Sequence, residues 1–138
     1  RRELEELVSK LNIGANVELI GWVDDIRPIL QNFDLFVSAA RHEPFGLVML
    51  EAMMSKIPVI ASKNEGAIEI IEDGKSGVLV PIDDAESLAQ AILDLADDPE
   101  LQKDIGLERQ IRAREQCSLE TMVKKPENFY EQILTNSV

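Results

Sequence analysis

The feature that most constrains this chain is an alternation between residues 17 and 80. Short apolar runs, Val17–Gly21, Leu35–Ala39, Pro58–Ser62 and Gly77–Val80, are separated by stretches with helical spacing. Runs of this length and composition read as strands, and the unbroken one at Leu35–Ala39 is expected to be covered on both faces. Asp24 is placed to cap a helix reaching about Phe33, with Pro28 in or near its first turn. A second helix is expected from about Pro44 to Ser55, carrying Leu47, Leu50, Glu51 and Met54 at three- and four-residue steps. A third runs from Ala67 to Glu72 and is closed by Asp73 and Gly74.

Helices also flank the alternation. Leu4, Leu7, Val8 and Leu11 repeat at helical spacing before a stop at Asn12–Gly14. Asp83 or Asp84 caps a helix carrying Leu88, Ile92 and Leu95; another follows Pro99, and a last one starts at Ser118 and breaks or kinks near Lys125, before Pro126. Strand–helix alternation at this spacing implies βαβ units and a parallel sheet. The expected fold is therefore α/β, a Rossmann-like parallel sheet with flanking helices and a helical carboxy-terminal segment, in one domain spanning residues 1–138. Four strands are few for this class, where about five or six is usual. With Arg1 rather than Met at its start, the chain is expected to be cut from a longer one.

Charge and composition remove several function classes. Fourteen basic against twenty-six acidic residues give a net charge of -12, the wrong sign for a nucleic-acid backbone or an acidic membrane surface. The longest apolar stretch, Phe45–Met54, is interrupted by Glu51 and falls short of the roughly 18 residues of a membrane helix, so no transmembrane segment is expected. The charged start Arg1–Glu6 lacks the apolar region of a secretory leader. Cys117 stands alone, which excludes a disulfide framework and a thiolate metal site and fits a reducing cytoplasm. No metal-ligand cluster and no resident cofactor are expected.

Ligands of open parallel α/β sheets bind at the carboxyl ends of the strands, which directs attention to the loops after Ala39 and Ala61. The first of them, Ala40–Gly46, leads into a helix. Its free amides and the helix dipole favour an anion such as phosphate near Phe45, Gly46 and Leu47, and Gly46 has no Cβ to keep a ligand from the backbone. Glu51 lies in a segment apolar almost all round, so its carboxylate is expected to be buried and to need partners. Ligand hydroxyls would serve. Glu43 precedes it by eight residues, close to two helical turns, so both carboxylates can face one cleft. Such a site suits a nucleoside diphosphate sugar, with hydroxyls at both ends and phosphate between. The same residues have structural readings: Glu43 as a helix cap, Glu51 in an ion pair with Arg41 or Lys56, Arg41 solvated rather than on phosphate, His42 as an ordinary loop residue, Met53 and Met54 as core.

The residues also resemble a family. Glu43-Pro-Phe-Gly-Leu-Val-Met-Leu-Glu51-Ala-Met is similar to the Glu-x7-Glu signature of group-1 (family 4) glycosyltransferases, relatives of glycogen and sucrose synthases. Pro58–Ser62, Gly66–Ile71, Asp73-Gly74, Gly77–Pro81 and Asp83-Asp84 continue the pattern in order, so the likeness runs from about Val17 to Leu134. Glu-x7-Glu alone is only moderately specific; five further blocks in register make it strong. The resemblance implies the truncated carboxy-terminal half of a GT-B enzyme, the donor-binding domain of a retaining, hexosyltransferase-type enzyme of carbohydrate or cell-envelope polysaccharide biosynthesis. By that analogy Glu43 contacts the sugar hydroxyls, the amides of Phe45–Leu47 hold sugar or diphosphate, and Glu51 accepts hydrogen bonds from the ribose. The turn Trp22-Val23-Asp24 meets the base through backbone atoms.

This chain departs from the pattern at two points. Lys56 stands where relatives usually have glycine, and Gly66-Ala67 replaces a Gly-Gly pair. The resemblance also implies an upstream basic segment for the diphosphate, and an amino-terminal acceptor domain, that are not in this sequence. The chain alone is accordingly expected to be inactive and to self-associate through an exposed sheet edge. A noncatalytic nucleotide or sugar-phosphate-binding module on the same fold, or a doubly wound domain used only for protein contacts, are the other readings.

Overall fold

In the computed structural model, residues 1–98 are described, together with Val123, Lys124, Glu127, Tyr130, Gln132 and Ile133, which are helical. The helices expected after Pro99 and from Ser118 otherwise lie outside the described residues.

Three strands form one parallel sheet: β1 (Phe36–Ser38), β2 (Val59–Ser62) and β3 (Val78–Val80), in the order β1-β2-β3. Phe36 stands opposite Val59 and Ser38 opposite Ala61; on the other side Ile60 meets Val78 and Ser62 meets Val80. Every residue of β2 is buried, and its side chains alternate between two cores as the strand period requires. Val59 and Ala61 join Leu30, Met49, Ala52, Met53, Ile57, Ala67, Ile70 and Ile71. Ile60 points the other way, to Val80, Ala91 and Leu95. The helices α3 (Leu47–Met54) and α4 (Glu65–Ile70) thus cover one face and α5 (Ala85–Asp97) the other.

The structure corrects several expectations. Val17–Gly21 forms no strand: among the described residues its backbone has no neighbouring strand to pair with, and Val17 and Ile20 remain exposed. Among the described residues the sheet therefore has three strands rather than four. β1 is its edge and only half buried, with Val37 exposed, instead of covered on both faces. Helix α2 is a single turn, Arg27–Leu30, and Asp24 does not cap it. Asp25 does the local work, accepting from the Arg27 amide at 3.1 Å and gripping its guanidinium through both oxygens.

Helix α3 begins at Leu47 because Gly46, at φ 90°, is left-handed and no helix passes through it; Pro44 lies outside. Its apolar surface has no preferred side in sequence, and packing selects Met49, Ala52 and Met53 as the buried stripe. Leu47, Glu51 and Met54 are left exposed, so Met54 is not core. Helix α4 starts earlier than expected, capped by Asn64 rather than beginning at Ala67. Among the described residues the other expected elements, α1 (Arg2–Lys10), β3 (Val78–Val80) and α5, stand. Helix α1 carries Leu4 and Leu7, followed by Leu11 at its C-cap, on an exposed stripe and buries no residue. Asp84 caps α5 by accepting from Ser87, whose hydroxyl and amide bonds hold the Asp84 carboxyl below the usual carboxylate range.

The end of α3 is a Schellman turn. Lys56 donates to the Met53 carbonyl and Ile57 to that of Ala52, which requires a left-handed residue at Lys56, φ 63°. A side chain pays about 1–2 kcal/mol there, and glycine avoids it while gaining up to about 1 kcal/mol of unfolded-state freedom. Lys56→Gly should therefore raise the unfolding free energy by about 0.5–1 kcal/mol, read as a higher urea midpoint; an unchanged or lower midpoint would contradict the strain at this turn.

Candidate functional site

Most of the expected site residues fall in one stretch, the loop from Ala40 to Gly46 between β1 and α3 and the first two turns of that helix. The loop is held from below by α4. The Gly66 amide donates to the Glu43 carbonyl at 2.7 Å. Asn64, only 2% exposed, donates its amide group to the Ala40 carbonyl and accepts from Ala67 with its oxygen, both at 2.9 Å. One buried side chain thus caps α4 and fixes the start of the loop. Neither Asn64 nor Gly66 was singled out as a site residue from sequence. Asn64 carries a usable signal, an Asn three residues before Ala67 and two after the strand-like run that ends at Ser62.

Glu43 folds back over the loop. Its Oε1 accepts from the amides of Gly46 at 2.9 Å and Phe45 at 3.3 Å. Glu43 thus braces the loop ahead of α3 rather than capping the helix, and its carboxylate occupies two of the three amides expected to meet an anion. The third, Leu47, has no acceptor among the described residues. Gly46 is itself buried, and a Cβ there would lie 2.1 Å from the Met49 methyl. The left-handed backbone at φ 90° favours glycine here, whereas the Met49 methyl is the far end of a flexible side chain.

Glu51 is also corrected. It lies on the outer side of α3, exposed rather than buried, because Met49, Ala52 and Met53 turn the opposite side to the sheet. No ion pair joins it to Arg41 or Lys56; among the described residues its carboxylate makes no hydrogen bond. Its charge is felt at Arg27, whose guanidinium is held above its ordinary range first by the Asp25 hydrogen bond and more weakly by Glu51. This brings the start of α2, just after the Trp22-Val23-Asp24 turn, to the same side of the molecule as Glu51. Val23 is half-buried in that turn, beside a Trp22 that is 90% exposed and bonded through Nε1 to Asp24.

Arg41 and His42 are both exposed. Arg41 is not simply solvated: its Nε donates to Asp83 at 2.7 Å, across to the loop before α5. His42 Nδ1 stands 3.6 Å from Glu65. The Glu65 carboxyl lies below its ordinary range, first through its own backbone amide at the start of α4 and then through His42. Among the described residues, no three His, Cys, Asp or Glu side chains converge on a metal position, and no helix is long and apolar enough to cross a membrane.

The sequence profile of the family described as Glycosyl transferases group 1 matches residues 1–111. The lipopolysaccharide core biosynthesis glycosyltransferase LpsE of Rhizobium meliloti (strain 1021) is 39% identical over 101 residues, covering 73% of this chain and 30% of that protein. The chain thus spans about a third of the length of such curated relatives. Among solved structures, Anabaena Alr3699/HepE in complex with UDP and glucose superimposes with a TM-score of 0.85 at 28% identity, covering 95% of this chain and 36% of that one. The C-terminal domain of a group 1 glycosyl transferase, LpcC from Francisella tularensis, superimposes at 0.76 with 30% identity, covering 86% of this chain and 62% of that one. The partial coverage agrees with half of a GT-B enzyme.

The close approach of α4 to the loop is open to direct test. A Cβ on Gly66 would lie 2.6 Å from the Glu43 carbonyl oxygen and 2.7 Å from that of Phe45, both backbone atoms. Gly66→Ala should lower the unfolding free energy by about 1–3 kcal/mol, the usual cost of overpacking, measured by urea unfolding. Unchanged stability would mean that the loop is not pinned to α4.

Proposed function

Because the chain belongs to the group 1 glycosyl transferases, we propose that it forms part of the donor-binding domain of a GT-B enzyme of the retaining, hexosyltransferase type. The observation that carries this reading is the Glu43–Glu51 segment, seated at the carboxyl end of β1 with Glu51 exposed and without a hydrogen-bond partner among the described residues. A surface carboxylate next to free helix amides suits a ligand with hydroxyls and phosphate. Glu51 accepts from the ribose hydroxyls, and the backbone at Val23 meets the base. Leu47 offers its amide to the diphosphate or sugar. Glu43 releases the amides of Phe45 and Gly46 to the ligand and turns its carboxylate to the sugar hydroxyls. Arg41 serves the phosphates once it leaves Asp83, and His42 lies at the rim.

The likeness to a protein crystallised with UDP and glucose makes a uridine diphosphate sugar the first donor to test. The lipopolysaccharide relative supports an acceptor in cell-envelope polysaccharide synthesis. The donor is already activated, so the reaction requires no resident cofactor, and we place it in the cytoplasm. Residues 1–138 belong to one domain. The facing acceptor domain and the upstream basic segment complete the site in the full-length protein, so this chain alone transfers no sugar. The edge at β1 and the apolar stripe of α1 are the surfaces through which the isolated chain self-associates.

Glu51→Gln in the full-length enzyme should weaken UDP-sugar binding by about 1–3 kcal/mol, the scale of hydrogen bonds to a charged group. The fold should be untouched, since the residue is exposed. Isothermal calorimetry decides: unaltered affinity removes Glu51 from the donor site.

A further inference from the structure

A cavity of about 280 Å3 opens at the carboxyl ends of all three strands, on the far side of the loop from Glu51's helix. Ala39 follows β1, Ser62 ends β2 and Pro81 follows β3, while Asp83, Asp84 and Leu88 close it from the start of α5. Ser62 is only 3% exposed, and its hydroxyl has no hydrogen-bond partner among the described residues. Buried hydroxyls are rarely left in that state, and the space beside this one is the cavity.

The walls restrict what can enter. Both Asp84 oxygens are taken by Ser87, the amide at 3.0 Å and the hydroxyl at 2.6 Å. One Asp83 oxygen accepts from Arg41. That leaves one Asp83 oxygen and the Ser62 hydroxyl as free side-chain groups, too few for a hard cation that takes about six to eight oxygens. Two neighbouring carboxylates repel an anion. The volume lies just below the roughly 300 Å3 at which pockets for larger organic ligands begin, enough for one ring and too little for a nucleotide sugar. A neutral ring with several hydroxyls meets each condition. One hydroxyl donates to Asp83, another exchanges hydrogen bonds with Ser62, and the ring carbons rest on Ala39, Pro81 and Leu88.

We propose that this cavity is a second carbohydrate subsite, taking one neutral monosaccharide unit and separate from the donor site of Glu43 and Glu51. The probes are free D-glucose, D-mannose and N-acetyl-D-glucosamine at millimolar concentration, with binding to the full-length protein followed by saturation-transfer NMR. At least one of them should bind. Ser62→Ala should weaken that binding about tenfold while leaving UDP-glucose affinity unchanged. It should also be at least as stable as the parent, because it removes a buried hydroxyl that has no partner. Leu88→Phe, which fills the cavity from the opposite wall, should abolish sugar binding as well. Glu43→Gln should leave free-sugar binding in place. The proposal is overturned if none of the three sugars binds, if Ser62→Ala and Leu88→Phe bind them as the parent does, or if Ser62→Ala loses UDP-glucose in parallel. A protein that binds free sugar through Ser62 but no UDP-sugar would sink the donor reading and leave this one standing.

Discussion

The fold depends on one requirement: a strand with no access to water must have its backbone polar groups paired by protein on both sides. β2 is that strand. Its neighbours β1 and β3 are each paired to it and not to one another. The side-chain alternation of the same four residues then assigns α3 and α4 to one face and α5 to the other. Burying Val59 and Ile60 completely contributes about 1.5–3 kcal/mol each. The larger effect is geometric, since the carboxyl ends of three strands, and hence both the Glu43 loop and the Ser62 cavity, are set by where β2 stops.

Much of this was legible in the sequence, for reasons that also explain the errors. β2, β3 and the α5 cap at Asp84 were readable because run length, composition and capping chemistry are local properties. Val17–Gly21 has equally strand-like composition but forms no strand, since pairing is a property of the neighbour and not of the segment. The buried face of α3 was misassigned because its apolar residues point all ways, and a helix of that kind takes its orientation from whatever it packs on. Glu51 followed that error: it was read as an expensive buried charge and is instead a surface carboxylate. That Glu43 sits at the approach to α3 was legible, although its carboxylate bonds amides ahead of the helix and does not cap it. The hold that Asn64 and Gly66 have on the loop was not, because it joins residues some twenty apart in the chain.

The electrostatics of the site are those of a strongly acidic protein whose nearest cations are already engaged. Arg27 is gripped by Asp25 and Arg41 by Asp83, and two loop amides are taken by Glu43. The two ion pairs are exposed and individually weak, so either can be broken at small cost.

The sheet order also bears on how the chain is made. β1 leaves the ribosome well before β2, the strand it pairs with among the described residues, because its partner residues in β2 follow it in sequence by roughly twenty positions; at about 5–20 residues per second the wait is on the order of one to a few seconds. During it the apolar residues of β1 and α3 have no sheet to cover. β3 emerges into a template already half assembled and has no such interval. The first half of this fold is therefore the part with a window for premature association during synthesis.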